Sequence, residues 1–503
     1  MFQANNLNRR LSAQDASFLY PERRETPLHI GSIAIFEGEV PYERLFANIQ
    51  AKLHLIPRYQ QRVVPVPFNI GHPTWEWDPD FDLSRHLMRV TIDSPGTDAQ
   101  LAALASKLFE GMLDRGKPLW EMYLVEGLEG ARSALVFKVH HCLVDGVSGI
   151  ELMMVVLDVS ATPPEPMAPP EQSERKPIPS PASLFLDALL DNAAEQIDRL
   201  SESGANALEA LATGDTRTRQ VLRSLESARP YLTNPMVRAP FNKPLGGERA
   251  FAASEFSFAE IRAIRGAAGG TVNDVVLTVL AGALGRYLEM HGEKTEGRTM
   301  RILTPVNVRG ANEQGALGNR VSMLLVEVPV GVPDPVARLK MITERTGTLK
   351  RQNVAAGAEI LSQLANQAPP ALQAMAGLMP QPPNTLAHMV CTNVPGPLIP
   401  LYTVGHRMVA NYPLVPIAWE MGIGCGVMSY DQKLFFGLIA DPLVAADVDR
   451  LKAFLDQAFV ELRSAAGVAK AEITQVGLAT DVSGAGQRRA IPSTAAAMAA
   501  DAS

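Results

Sequence analysis

Cysteine is scarce in this chain: three in 503 residues, Cys142, Cys391 and Cys425. They stand far apart and offer neither metal-ligand spacing nor a disulfide framework, so a reducing compartment fits best. No lysine- and arginine-rich run occurs, and the formal net charge is a mild −7, which argues against nucleic acid as a partner. No uninterrupted apolar run reaches about 18 residues, so no membrane span is expected. The opening residues, Met1-Phe2-Gln3-Ala4-Asn5-Asn6, lack the basic-then-apolar pattern of a signal peptide. A soluble cytoplasmic protein is the baseline expectation.

Apolar material is plentiful by contrast. Hydrophobic residues make up 47 % and charged residues 20 %, the balance of a globular protein. A chain this long exceeds one ordinary core and implies two domains or three.

Leu135-Val136-Phe137-Lys138-Val139-His140-His141-Cys142-Leu143-Val144-Asp145-Gly146 is the most informative stretch. It opens as a β-branched apolar run suited to a buried strand. Two adjacent histidines follow, and an Asp-Gly pair suited to a tight turn comes four residues after the second. A strand ending in a turn holds a side chain rigidly while opening it to a cleft, and histidine is the side chain best able to give and take a proton near neutral pH. With nine histidines in the chain, chance would produce His-His-x-x-x-Asp-Gly in roughly one such sequence per thousand. Gly146-Val147-Ser148-Gly149 lacks the spacing of a nucleophile elbow, so Ser148 is not expected to act covalently. Gly422, Gly424 and Gly426 lack the strand–helix context of a dinucleotide site.

At these residues the sequence resembles the bacterial wax ester synthase/diacylglycerol acyltransferases, within the superfamily of coenzyme A-dependent acyltransferases that share His-x-x-x-Asp-Gly. The resemblance runs from about residue 10 to 465 and gains further segments in the expected order. Pro118-Leu119-Trp120 matches a segment that lies beside the acyl channel in the family. Asn273-Asp274, Asn393-Val394-Pro395-Gly396-Pro397 and the 427–437 hairpin are also family-like. The resemblance implies an α/β fold of the α+β type: two chloramphenicol-acetyltransferase-like domains, each a mixed sheet backed by helices, with the active-site channel between them.

It further implies transfer of a fatty acyl group from acyl-CoA, as co-substrate and without a cofactor or metal, to diacylglycerol or a long-chain alcohol. His141 would be the general base, His140 a secondary contributor, and Asp145 with Gly146 the organisers of the loop. Pro118, Leu119, Trp120, Asn273 and Asp274 would bind substrate, Asn273 near the oxyanion. Related enzymes pair the motif's Asp with an arginine of the other domain; Arg309 is the first candidate here and Arg320 the second. Acceptors that reside in lipid imply peripheral contact with the inner membrane or lipid droplets. Two alternatives stay open: an amide-forming condensation-type acyltransferase, and an inactive lipid-binding protein that keeps the fold.

The chain divides by composition into an N-terminal domain (1–160), a proline-rich linker (161–183), a helical connector (184–239), a C-terminal domain (240–468) and a tail (469–503) expected to be disordered. Ser12 is placed to cap a helix over 11–20, and Thr271 to cap one over 271–284, with Asn273 and Asp274 in its first turn. Strands are expected at 27–36, 122–125, 135–140, 302–308 and 390–394, and helices at 42–55, 97–113, 258–267 and 444–464. His29 and His54 show no partner in sequence and read as structural. Cys142 is expected on the opposite side of a strand from His141.

Overall fold

The computed structural model describes residues 9–144, 153, 155–162, 177–192, 234–307, 321–351, 368–380, 383–384 and 386–471. Within them the chain builds two six-stranded mixed sheets and one two-stranded ribbon. The N-terminal half supplies β1 (His29–Glu37), β2 (Gln61–Val64), β3 (Thr74–Trp77), β4 (Leu87–Thr91), β5 (Trp120–Leu128) and β6 (Arg132–His140). The C-terminal half supplies β7 (Ala250–Ser257), β8 (Thr299–Asn307), β9 (Val321–Pro329), β10 (Met389–Val394), β11 (Tyr402–Thr403), β12 (His406–Leu414), β13 (Ile423–Tyr430) and β14 (Lys433–Ala440). The helices are α1 (Ala13–Leu19), α2 (Tyr42–Lys52), α3 (Asp98–Glu110), α4 (Phe258–Ala268), α5 (Val272–Met290), α6 (Pro335–Arg351), α7 (Pro370–Leu378) and α8 (Val448–Ala465), with further helical turns at 181–192.

Local chemistry sets several of these boundaries. Ser12 Oγ accepts the Asp15 backbone N–H at 3.0 Å and starts α1. Thr97 and Gln100 form a reciprocal capping box at the head of α3, and Thr271 and Asp274 form another at the head of α5. From Asp274 to Gly285 every residue of α5 is buried, which explains why that helix is apolar on all sides and not amphipathic. Among the described residues no single helix is long and apolar enough to cross a membrane.

The first sheet runs β11-β12-β1-β6-β5-β4 and the second β7-β14-β13-β10-β8-β9. β1 pairs antiparallel with β6 on one side and with β12 on the other. Two strands of the C-terminal half, β12 and the edge strand β11, therefore complete the N-terminal sheet. β12 also packs onto β14, and Gly437 permits it: a Cβ there would sit 1.9 Å from the Pro413 carbonyl oxygen. Each sheet has its own apolar core, and Tyr430, Phe435 and Ile439 of the second sheet belong to the core of the first.

The β1–β6 register positions the site. It sets His29 directly opposite His140 at the end of both strands. β5 lies on the other flank of β6, where the His140 N–H donates to the Leu119 carbonyl at 3.0 Å.

Candidate active site

β6 ends at His140, and the chain turns at once into a 3-10 turn, His141–Leu143. The Cys142 backbone N–H donates to His140 Nδ1 at 3.1 Å, so the buried His140 ring is itself the cap of that turn. An accepting Nδ1 leaves the ring hydrogen on Nε2. His140 Nε2 faces Glu22 Oε1 at 3.3 Å, and His29 Nε2 approaches the same oxygen at 3.3 Å. Both contacts are longer than a well-formed hydrogen bond. The Leu28 N–H also donates to Glu22 Oε1, at 3.2 Å, and Arg115 donates to Oε2 at 2.9 Å.

Burial alone would raise the Glu22 carboxyl, but its contacts with His140, His29 and Arg115 outweigh that and hold it well below the usual carboxylate range. The side chain is 1 % exposed, so this is a buried, charged carboxylate. A carboxylate so deep is tolerated because several donors surround it.

His141 stands on the other side of the turn, half-buried, with its ring flat against Phe18 of α1: centroids 3.9 Å apart, planes 9° from parallel. Burial pushes the imidazole down to about 4, His140 adds to that, and its own backbone carbonyl acts the other way without cancelling it. The ring is thus neutral at physiological pH, the state a general base requires. His29 Nδ1, His140 Nε2 and His141 Nδ1 are buried without a hydrogen-bond partner among the described residues. Unpartnered buried nitrogens gathered in one small region mark a site whose polar groups are kept for something other than folding.

These histidines also predict an acid weakness. Burial leads the causes that push His29, His141 and also His72, whose Nδ1 lies 3.0 Å from the Tyr20 hydroxyl, each down to about 4. In the unfolded chain all three titrate near pH 6.5, so between about pH 6.5 and pH 4 the unfolded state binds more protons, and stability falls as pH drops. A urea midpoint that declines steadily across this window is the expected result; a flat one would count against the buried, neutral rings.

The structure brings together only part of the set expected from sequence. Pro118 and Leu119 are buried next to His140, and Trp120 is buried in the core against Tyr59 and His86. Asp274 spends its carboxylate on structure: Oδ2 accepts the Thr271 N–H at 2.8 Å, and Oδ1 accepts the Thr346 hydroxyl at 2.8 Å. Asn273 is half-buried in the first turn of α5. Cys142 does not sit on a strand: it lies within the 3-10 turn, fully buried, and burial drives its thiol well above the ordinary value. The strand alternation expected to separate it from His141 therefore does not apply at this position. Asp145, Gly146, Ser148, Arg309 and Arg320 lie outside the described residues.

Sequence reasoning missed Glu22, Phe18 and Arg115, and read His29 as merely structural. The register of β1 on β6 gathers His29 to the site, while Glu22 and Phe18 arrive from the chain just ahead of β1. Among the described residues no group of three or more His, Cys, Asp or Glu side chains is arranged to hold a metal ion.

Residues 11–276 match the profile of the wax ester synthase/diacylglycerol acyltransferase catalytic domain, and residues 317–463 match the C-terminal domain of the same proteins. A Mycobacterium tuberculosis protein named "Probable diacylglycerol O-acyltransferase tgs1" is 31 % identical over 460 residues, 90 % of this chain and 95 % of that one. A second from the same organism, tgs2, is 32 % identical over 469 residues, 90 % and 98 % of the two chains. Among solved structures, the wax ester synthase/diacylglycerol acyltransferase from Marinobacter aquaeolei VT8 aligns with a TM-score of 0.62 at 26 % identity, over 91 % of this chain and all of that one. The starter condensation domain of rhizomide synthetase, solved with C8-CoA and Leu-SNAC, aligns with a TM-score of 0.53 at 15 % identity over 92 % of this chain and 95 % of its own, a likeness of fold alone.

Proposed function

The chain belongs to the wax ester synthase/diacylglycerol acyltransferase family, and from that premise we propose that it moves a fatty acyl group from acyl-CoA to the free hydroxyl of diacylglycerol, with His141 as general base. One observation carries the assignment of the base: a neutral imidazole, clamped flat by Phe18 at the end of β6, follows a second histidine whose ring caps the turn.

The chemistry needs a base for the acceptor's proton, donors for the developing oxyanion and exclusion of water. His141 Nε2, the nitrogen opposite the buried Nδ1, takes the hydroxyl proton as the alkoxide oxygen attacks the thioester carbonyl carbon. A tetrahedral intermediate forms, the C–S bond breaks, and the imidazolium returns its proton to the leaving thiolate, giving ester and free CoA. No acyl-enzyme is needed, and the raised, buried Cys142 thiol is a poor nucleophile. Asn273 is the proposed donor near the oxyanion.

A hydroxyl acceptor of this kind resides in lipid, and we place the enzyme peripherally on a membrane or lipid-droplet surface. The exposed apolar side chains Leu372, Met375 and Leu378 on α7, with Met379 just beyond, support that reading. A single assay tests both parts: thiol release from palmitoyl-CoA with diacylglycerol presented in vesicles, followed by sedimentation of the vesicles. Acceptor-dependent release, with enzyme in the pellet, is expected. Faster release with hexadecanol would make the long-chain alcohol the preferred acceptor. No release with either would favour a lipid-binding protein without turnover.

A further inference from the structure

We propose that Glu22 is a positioning residue for acyl transfer: its buried carboxylate ties α1, β1 and the 111–116 loop to His140, and through the ring of His140 it fixes the turn that presents His141.

The inference rests on the reading of His141 as the base, and it explains something that reading leaves open. A base on a short turn is useful only if the turn cannot rock, and small misplacements cost rate. Two backbone bonds hold the turn, His141 N–H to the Leu28 carbonyl at 2.9 Å and Val144 N–H to the His141 carbonyl at 3.4 Å, and its side-chain cap is the bond from Cys142 N–H to His140 Nδ1. That bond exists only while the hydrogen of His140 sits on Nε2, because a protonated Nδ1 would oppose the Cys142 N–H. Glu22 Oε1, 3.3 Å from Nε2, is the anion that favours this tautomer.

The carboxylate also reaches the clamp on the far side of the base. Arg115, bound to Glu22 Oε2, donates with the same nitrogen to the Leu19 carbonyl at 2.9 Å, at the end of α1. Leu19 directly follows Phe18, whose ring lies flat on His141. Glu22 therefore sits at the junction of the two devices that hold the imidazole: the turn behind it and the aromatic plate over it. His29, opposite His140 in the β1–β6 register, brings Nε2 within 3.3 Å of the same oxygen and accepts the Leu113 N–H there at 3.4 Å. Position 22 lies seven residues before β1 and would pass for an ordinary surface glutamate of a Pro-Glu-Arg-Arg loop, yet its side chain is 1 % exposed.

Glu22→Gln keeps the shape and removes the charge. In the full-length protein, kcat is expected to fall about 10- to 100-fold, while KM for palmitoyl-CoA stays within about twofold. In 15N-histidine spectra, the His140 signal should change from one Nε2–H form to a mixture of tautomers. A kcat within about twofold of wild type, or a loss confined to KM, overturns the proposal. Should Glu22→Gln fail to fold, Arg115→Gln decides by the same readouts, since that side chain is nearly half exposed. It is expected to lower kcat about three- to tenfold with KM unchanged, and an unchanged kcat overturns the proposal. The base reading fails separately: it falls if His141→Ala keeps its turnover. The tautomer of His140 in Glu22→Gln then still judges Glu22.

Discussion

His141→Ala is expected to lose about two to four orders of magnitude in kcat while remaining folded. Activity and folding depend on this ring to different degrees. In the proposed mechanism the ring takes the acceptor's proton, and burial, which pushes its pKa down to about 4, keeps it unprotonated at neutral pH. Folding depends on it far less. His141 is half-buried, its Nδ1 has no hydrogen-bond partner among the described residues, and its main contact is the face of Phe18. Losing that stack costs about 0.5–1.5 kcal/mol beyond buried area, too little to unfold a chain of this size. Thiol release from palmitoyl-CoA and a thermal melt, measured side by side, check both halves. Turnover that survives in the folded variant would place the base elsewhere.

The elements around this site were legible in the sequence to very different degrees. The strand leading into His140 and the caps at Ser12 and Thr271 are local properties, fixed by alternation and by oxygen-bearing side chains at the right offset, and the structure has them where expected. Asp274 was read as substrate-binding, whereas its carboxylate is engaged within the fold by the Thr271 N–H and the Thr346 hydroxyl. What could not be read is what depends on pairing between distant strands. His29 carries no signal of its own at position 29; it acquires a partner only because β1 runs antiparallel to β6 in a register that sets it opposite His140. β12 lies about 370 residues after β1, yet the two pair, and nothing in the alternation of 406–414 names that neighbour. Glu22 fails for a third reason. A buried carboxylate looks like any exposed one in sequence, and only the convergence of Leu28 N–H, Arg115 and two imidazoles on it shows the difference.

Trp120→Ala is expected to destabilise the fold by about 4 kcal/mol, a result that bears directly on what the Pro118-Leu119-Trp120 segment does. The indole is 1 % exposed. Its Nε1–H donates to the Tyr59 carbonyl at 2.8 Å, its edge meets the Tyr59 ring at 5.9 Å, and its face stacks on His86 at 4.7 Å. His86 in turn lies under Phe81 and, through Nδ1, holds the Trp120 carbonyl at 2.9 Å. Truncation opens a large cavity and removes the indole N–H that the Tyr59 carbonyl accepts, the lost hydrogen bond alone costing about 0.5–1.5 kcal/mol. Trp120→Phe keeps a ring against His86 but not the donor to Tyr59, so it isolates that smaller cost. Urea unfolding of the two variants, with turnover against acyl-CoAs of graded chain length, separates a core role from a channel-lining one. A core residue loses stability in the order Ala before Phe and leaves the preferred chain length where it was. A wall of the acyl channel would do the reverse, shifting chain-length preference while the urea midpoint barely moved. With the indole buried and its N–H, edge and one face held by Tyr59 and His86, the first pattern is the expected one, and Trp120 then acts by keeping β5 in register beside the strand that ends in His140.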